Sequence, residues 1–197
     1  MNLNQTRFIT SAATFNDCPE DSIVEIAFAG RSNAGKSSAI NSVCNQTRLA
    51  RTSKTPGRTQ LLNLFAIEPN IYLVDLPGYG FAKVPLEVKN KWQQELEQYL
   101  REREQLAGII LLSDIRHPLK EFDRMMIDWA AKSSLPLHLL LTKSDKIKRG
   151  PARNALLKTR KELEELANVS VQLFSSVKNA GLSEVKNKIF EWTKINN

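Results

Sequence analysis

Gly30-Arg31-Ser32-Asn33-Ala34-Gly35-Lys36-Ser37 follows an apolar run and opens a helical one. Glycines at this spacing let backbone N–H groups turn inward, and the helix start adds its positive end. Such a loop cradles phosphate oxygens. Lys36 is placed to bridge β- and γ-phosphates, and the hydroxyl of Ser37, with Ser38 behind it, to coordinate Mg²⁺. Downstream, Asp75-Leu76-Pro77-Gly78 closes a second apolar run. An aspartate in that position holds Mg²⁺, commonly through a water, and the Gly78 N–H can bond a γ-phosphate and sense its loss.

Thr142-Lys143-Ser144-Asp145 follows the run LHLLL, which puts it on the ligand edge of an open α/β sheet. One carboxylate at Asp145 can accept both N1–H and the 2-amino group of guanine. Adenine offers no such pair, and a site built around those hydrogen bonds rejects the analogue lacking them. The aliphatic stem of Lys143 can lie against the base. Phe174-Ser175-Ser176, at the end of the next apolar run, can offer N–H groups to guanine O6. The ligand these residues predict is GTP or GDP with Mg²⁺.

A glutamine that orients the attacking water follows D-x-x-G in many GTPases. Here Tyr79 follows, which predicts slow intrinsic hydrolysis. Two substitutes are open. Asn33 falls within the phosphate loop, where its side-chain oxygen could help hold K⁺ near the phosphates, or it could only brace the loop. Alternatively a partner supplies a group in trans. Arg31 and Arg58 are nearby cations that nothing in the sequence aims at the γ-phosphate.

These residues need strands that end at one edge. The apolar runs at 23–29, 61–67, 71–74, 108–112, 137–141 and 169–174 read as strands. Helical patterns fall at 36–44, 86–103, 119–133, 151–167 and 182–194. Glu68-Pro69-Asn70 is short enough for a hairpin. Strands alternating with helices imply crossover units covered on both faces. The expected fold is an α/β protein, a three-layer α/β/α sandwich with a mostly parallel six-stranded sheet and one antiparallel strand. Residues 1–21 read as a polar lead-in and 22–197 as a single nucleotide-binding domain.

The chain has 197 residues, 42% hydrophobic and 25% charged. No apolar run reaches the roughly 18 residues of a membrane span. Cys18 and Cys44 read as reduced thiols, and with two dispersed histidines they argue against a zinc site. His117 and His138 read as structural, and Trp92, Trp129 and Trp192 as packing. Net charge is +7, with acid-free basic stretches at 46–59 and 146–161. Each is either a solvated face or a footprint for a phosphate backbone.

GRSNAGKSS at 30–38, TPGRTQLLN at 55–63, DLPGYGFA at 75–82, TKSD at 142–145 and FSSVKNAG at 174–181 together resemble the Era-like branch of GTPases. The match is closer to the EngB (YihA or YsxC) family of ribosome-biogenesis GTP-binding proteins. That resemblance implies a G domain and a role in assembling the large ribosomal subunit, with normal cell division and septation depending on the family. It assigns the switch threonine, a Mg²⁺ ligand, to Thr59, although Thr52 and Thr55 compete on spacing alone. It also implies nucleotide contacts from Gly57, Arg58, Thr59, Gln60 and Leu61. Thr142 stands where the broader pattern has asparagine, which removes an amide that braces neighbouring loops.

The expectation is a cytoplasmic, monomeric switch with weak GTPase activity, using Mg²⁺ and possible K⁺. Its partner is the large subunit or its precursor, through ribosomal RNA, with no membrane partner. GTP is expected to order residues 46–59 and 76–85, and hydrolysis to release them. A phosphate-loop ATPase, or an RNA-binding or division scaffold with a structural nucleotide site, are the rival readings.

Overall fold

The apolar runs are buried almost throughout, and their side chains alternate between two layers. The computed structural model describes residues 1–50, 61–79, 94 and 96–194. Within them the strands are β1 (Arg7–Ala12), β2 (Val24–Gly30), β3 (Leu62–Glu68), β4 (Ile71–Asp75), β5 (Leu106–Asp114), β6 (Leu137–Thr142) and β7 (Val169–Leu173). The helices are α1 (Lys36–Val43), α2 (helical at 94 and 96–102), α3 (Glu121–Lys132), α4 (Arg149–Glu162) and α5 (Leu182–Lys194).

One sheet in the order β1-β3-β4-β2-β5-β6-β7 carries the molecule. β4, β2, β5, β6 and β7 are parallel, and β3 pairs antiparallel with β4 through the predicted hairpin. Asn70 makes that turn at a φ of 66°, a conformation asparagine tolerates. Along β2, Ile26 and Phe28 face α1 and α5, while Ala27 and Ala29 face α2, α3 and α4. Ile110 and Leu112 of β5 repeat the first choice, and Ile109 and Leu111 the second. Two apolar layers result, one on each side of the sheet, as both-face burial of parallel strands requires.

The sheet has seven strands, one more than the sequence suggested. The extra strand comes from the polar lead-in: β1 lies antiparallel to β3, with Phe8 opposite Phe65 and Ala12 opposite Leu62. An edge strand needs a backbone partner more than an apolar face, so RFITSA carries little periodic signal. Its Phe8 ring still meets Phe65 edge-on at 5.8 Å.

α1 and α3 match expectation to within two residues, and α4 differs more. α4 begins two residues before Pro151, because proline is tolerated in a first turn whose N–H groups lack intrahelical partners anyway. It also ends at Glu162, five residues before the expected 167. Trp192 packs as expected: a Cβ on Gly108 would lie 2.5 Å from its ring. His138 is buried in a structural network, with Ser170 Oγ at 2.7 Å from Nδ1 and Gln172 Oε1 at 2.6 Å from Nε2. Cys18 and Cys44 are free and buried. Trp92 lies outside the described residues.

Candidate nucleotide site

Every candidate motif within the described residues falls at the carboxyl ends of β2, β4, β6 and β7, one edge of the sheet. The phosphate loop leaves β2 at Gly30, where a Cβ would lie 2.9 Å from the Leu112 carbonyl oxygen. Only glycine lets the loop turn so close to β5. Asn33 and Gly35 take left-handed φ values of 64° and 98°, and α1 starts at Lys36. Together they make a loop whose amides converge, with a helix start behind it. The Asn33 side chain makes no hydrogen bond among the described residues.

Asp75 ends β4 and is 5% exposed. Lys36 Nζ pairs with its Oδ1. Burial pushes the Asp75 carboxyl up, and the Lys36 ammonium pulls it back down. Ser37 opens the helix beside this pair. A buried carboxylate and a hydroxyl are hard oxygen donors, and they are too few for a protein-built cage. Among the described residues no group of three or more His, Cys, Asp or Glu side chains is placed to hold a metal ion by itself. This set suits Mg²⁺, which keeps waters and shares ligands with substrate phosphates. The buried Asp75 charge, compensated by one ammonium, fits the arrival of a cation.

The 76–79 segment is sewn to the phosphate loop by backbone. Leu76 N–H donates to Phe28 O at 3.0 Å, Ser32 N–H to Tyr79 O at 2.8 Å and Tyr79 N–H to Gly30 O at 3.4 Å. The Tyr79 side chain turns the other way. It is 1% exposed, stacks on Phe122 at 5.1 Å and donates its hydroxyl to Asp123 Oδ1 at 2.7 Å. Asp123 Oδ2 accepts from Ser113 Oγ at 2.7 Å and from Lys120 N–H at 3.2 Å. Burial and the Asp123 charge hold the Tyr79 phenol well above its ordinary pKa. Tyr79 is therefore a post between the loop and α3. Its ring is committed to the core, far from the role of a water-orienting glutamine.

The 142–145 turn braces the phosphate loop directly. Thr142 Oγ1 donates to Ala34 O at 2.7 Å and lies 3.2 Å from Ser113 O. The amide is absent, as the sequence shows, and the Thr142 hydroxyl braces the loop in its place. Lys143, at a φ of 58°, donates through Nζ to Asn33 O at 2.7 Å and pairs with Asp114 at 3.0 Å. The Arg116 guanidinium also grips Asp114, holding that carboxyl well below the usual range.

Asp145 is held from the next strand end. Ser175 Oγ donates to its Oδ1 at 2.6 Å, which lowers its pKa and keeps it ionised. Ser144 reaches Phe174 O through its N–H and its hydroxyl, at 3.2 and 3.0 Å. Ser176 O lies against α1, accepting from Ser42 Oγ at 3.4 Å. The 142–145 and 174–176 segments therefore fold as one unit.

Gly57, Arg58, Thr59 and Gln60 lie outside the described residues, as do the rivals Thr52 and Thr55. Leu61 is exposed and opens the approach to β3. The sequence reading missed Ser113, Asp114 and Asp123. An aspartate ending an apolar strand at 114 was the available signal for one of them.

A phosphate loop, a D-x-x-G strand end and a T-K-x-D turn on one edge of this sheet define a phosphate-loop GTPase domain. A family model described as 50S ribosome-binding GTPase matches residues 25–143. The chain is 56% identical over 188 residues to the probable GTP-binding protein EngB of Vibrio parahaemolyticus, covering 95% of this chain and 86% of that protein. It is 52% identical over 189 residues to its counterpart in Aliivibrio fischeri, covering 95% and 88%. A crystal structure of a probable GTP-binding protein EngB superposes with a TM-score of 0.70 at 24% identity, over 87% of this chain and 99% of that one. The chain belongs to the EngB family of GTP-binding proteins.

Proposed function

We propose that this chain is a GTP-operated switch acting in assembly of the large ribosomal subunit, with residues 22–197 as its G domain. The observation that carries the GTP reading is the bonding of the base-reading turn. Thr142 and Lys143 tie it to the phosphate loop, and Ser175 aims Asp145. Base and phosphate recognition are thereby held in one register. The ribosomal partner is supported by the family description and by the basic surface.

In this reading the loop amides from Gly30 to Ser38 take the phosphates, and Lys36 exchanges Asp75 for phosphate oxygen. Ser37, Asp75 and Thr59 hold Mg²⁺, which supplies neutralisation of charge on the phosphates. Gly78 senses the γ-phosphate and releases its segment after hydrolysis. Gly57, Arg58, Gln60, Leu61, Leu76 and Pro77 line the nucleotide from the two switches, and Phe174 and Ser176 flank the base. Intrinsic hydrolysis is slow, because the Tyr79 ring is committed to Asp123 and Phe122. Water positioning falls to Asn33 with K⁺ or to the partner. The Asn33 side chain, without a hydrogen bond among the described residues, supports the first. Action is cytoplasmic and monomeric, and the septation requirement follows from the family.

The test is the GTP hydrolysis rate in potassium buffer, with and without purified large subunits. Strong acceleration is expected. An unchanged slow rate would sink the idea that mature subunits complete the site. Subunit binding indifferent to GDP or a GTP analogue would instead favour a scaffold with a structural nucleotide.

A further inference from the structure

α4 carries a charge bias that α3 and α5 do not. α3 and α5 mix acids and bases, and each opens with an acid in its first turn. α4 (RGPARNALLKTRKE) carries five cations and one acid, and its first turn holds no acid. Lys148 sits at its N-cap and Arg149 in its first turn, at the positive end of the helix dipole. Cations there are unfavourable, so local stability does not explain them. A local rule broken without structural compensation points to function.

The arrangement is a continuous surface. Ala152, Thr159 and Leu163 are buried and seat the helix on the sheet. The opposite face presents Arg149, Arg153, Lys158 and Lys161, all exposed, with Lys146 and Lys148 exposed just ahead of the helix. Arg149 to Lys161 spans about 18 Å at 1.5 Å per residue. Among the described residues, Lys148, Arg149, Arg153, Lys158 and Lys161 have no ion pair, whereas the lone acid Glu162 is engaged by Arg124 at 2.5 Å. Arg160 differs, donating to Val171 O at 3.0 Å. Glu164 and Glu165 follow beyond the helix end. Leu157, 52% exposed, lies in the middle of the cations.

We propose that the outer face of α4, with Lys146 and Lys148, is a docking surface for an RNA sugar–phosphate backbone. Unpaired cations spread over several phosphate spacings suit a polyanion, and Leu157 offers an apolar contact to a ribose or base face. A bilayer is disfavoured, because the apolar side of α4 is already used by the sheet and one leucine remains to insert. The surface begins at Lys146, next to Asp145, so it is joined through one short turn to the base-reading carboxylate. The proposal rests on the ribosomal reading above and names the part of the chain that makes the contact.

The test combines Arg149→Gln, Arg153→Gln, Lys158→Gln and Lys161→Gln in the full chain, with Lys158→Gln/Lys161→Gln alone as a milder second variant. Glutamine keeps helix propensity, and unchanged fluorescent-GTP binding verifies folding. Binding is measured against KCl on three probes: purified large subunits, protein-free large-subunit RNA and phosphatidylglycerol vesicles. The expected result is more than tenfold weaker binding of the fourfold variant to subunits and RNA. The log–log salt slope should be shallower by about 3, from about 0.7 to 0.9 per lost phosphate contact. The double variant should fall between. Wild-type affinity and slope in both variants would overturn the surface assignment while the ribosomal reading stands. Loss confined to vesicles would overturn it in favour of a membrane. Failure of the unaltered chain to bind either subunits or RNA would overturn the ribosomal reading itself, and this inference with it.

Discussion

Two buried ion pairs sit at opposite ends of β2 and are built differently. At the entrance, Glu25 is fully buried and saturated: Arg103 grips one oxygen at 2.6 and 2.9 Å, and Tyr99 Oη donates to the other at 2.7 Å. Arg103 spends a further N–H on Pro19 O at 2.7 Å. At the exit, Lys36 and Asp75 have only each other among the described residues. The first pair leaves nothing to exchange and joins α2 to the sheet. The second is an ammonium and a carboxylate held ready on a loop that a polyphosphate and a divalent cation would separate. Saturation marks a group for structure, and its absence beside converging amides marks one for a ligand.

The largest effect should come from breaking the saturated pair. Glu25→Ala leaves Arg103 buried without its carboxylate and should lower unfolding stability by about 3–5 kcal/mol in urea titrations. GTP affinity of the folded fraction should be unchanged. A small loss would mean that the entrance pair is not structural in this sense. Lys36→Ala should do the reverse. We expect GTP affinity to fall by about 100-fold, equivalent to about 2.7 kcal/mol. Isothermal titration should read this; the urea midpoint should move less than for Glu25→Ala, because the orphaned Asp75 carboxyl, already pushed up by burial, can take up a proton, and an equal midpoint shift would erase the contrast.

Tyr79→Phe sharpens the boundary between the two ends. Asp123 loses one donor in a buried site, costing about 1–3 kcal/mol of stability. The single-turnover hydrolysis rate should hold, since the phenol faces α3; a rate loss beyond tenfold would put Tyr79 back in the chemistry.

The smallest effect is in pH. Burial holds the His138 imidazole below its ordinary pKa of 6.5. A depressed folded pKa means that stability is full above the unfolded value and falls as pH drops. Thermal unfolding should therefore show a modest loss from pH 7 to 5 that His138→Gln removes. A pH-independent difference between the two proteins would show that the ring is not titrating.

Much of the site was legible because phosphate and guanine recognition depend on local chain. A helix-opening glycine loop, a strand-end aspartate and a T-K-x-D turn declare themselves by spacing, and apolar runs declare the parallel strands that bring them to one edge. Tyr79 shows where spacing stops. Its position after Gly78 raised the question of the water, but its rotamer depends on Phe122 and Asp123, more than 40 residues on. Thr142 shows the same limit: whether its hydroxyl reaches Ala34 depends on how β6 abuts the loop. β1 was missed because an edge strand is specified by an open partner, which a polar hexapeptide does not advertise.

The sequence by itself determined the ligand class, the order of strands and helices from β2 onward, and the basic bias of α4, because these rest on residue type and near neighbours. Tertiary structure decided which buried charges are saturated, which way Tyr79 turns and which α4 cations have no ion pair among the described residues. Those properties are set by side chains that meet from distant segments. Their energies depend on burial and on the count of hydrogen-bond donors, neither of which spacing along a chain contains.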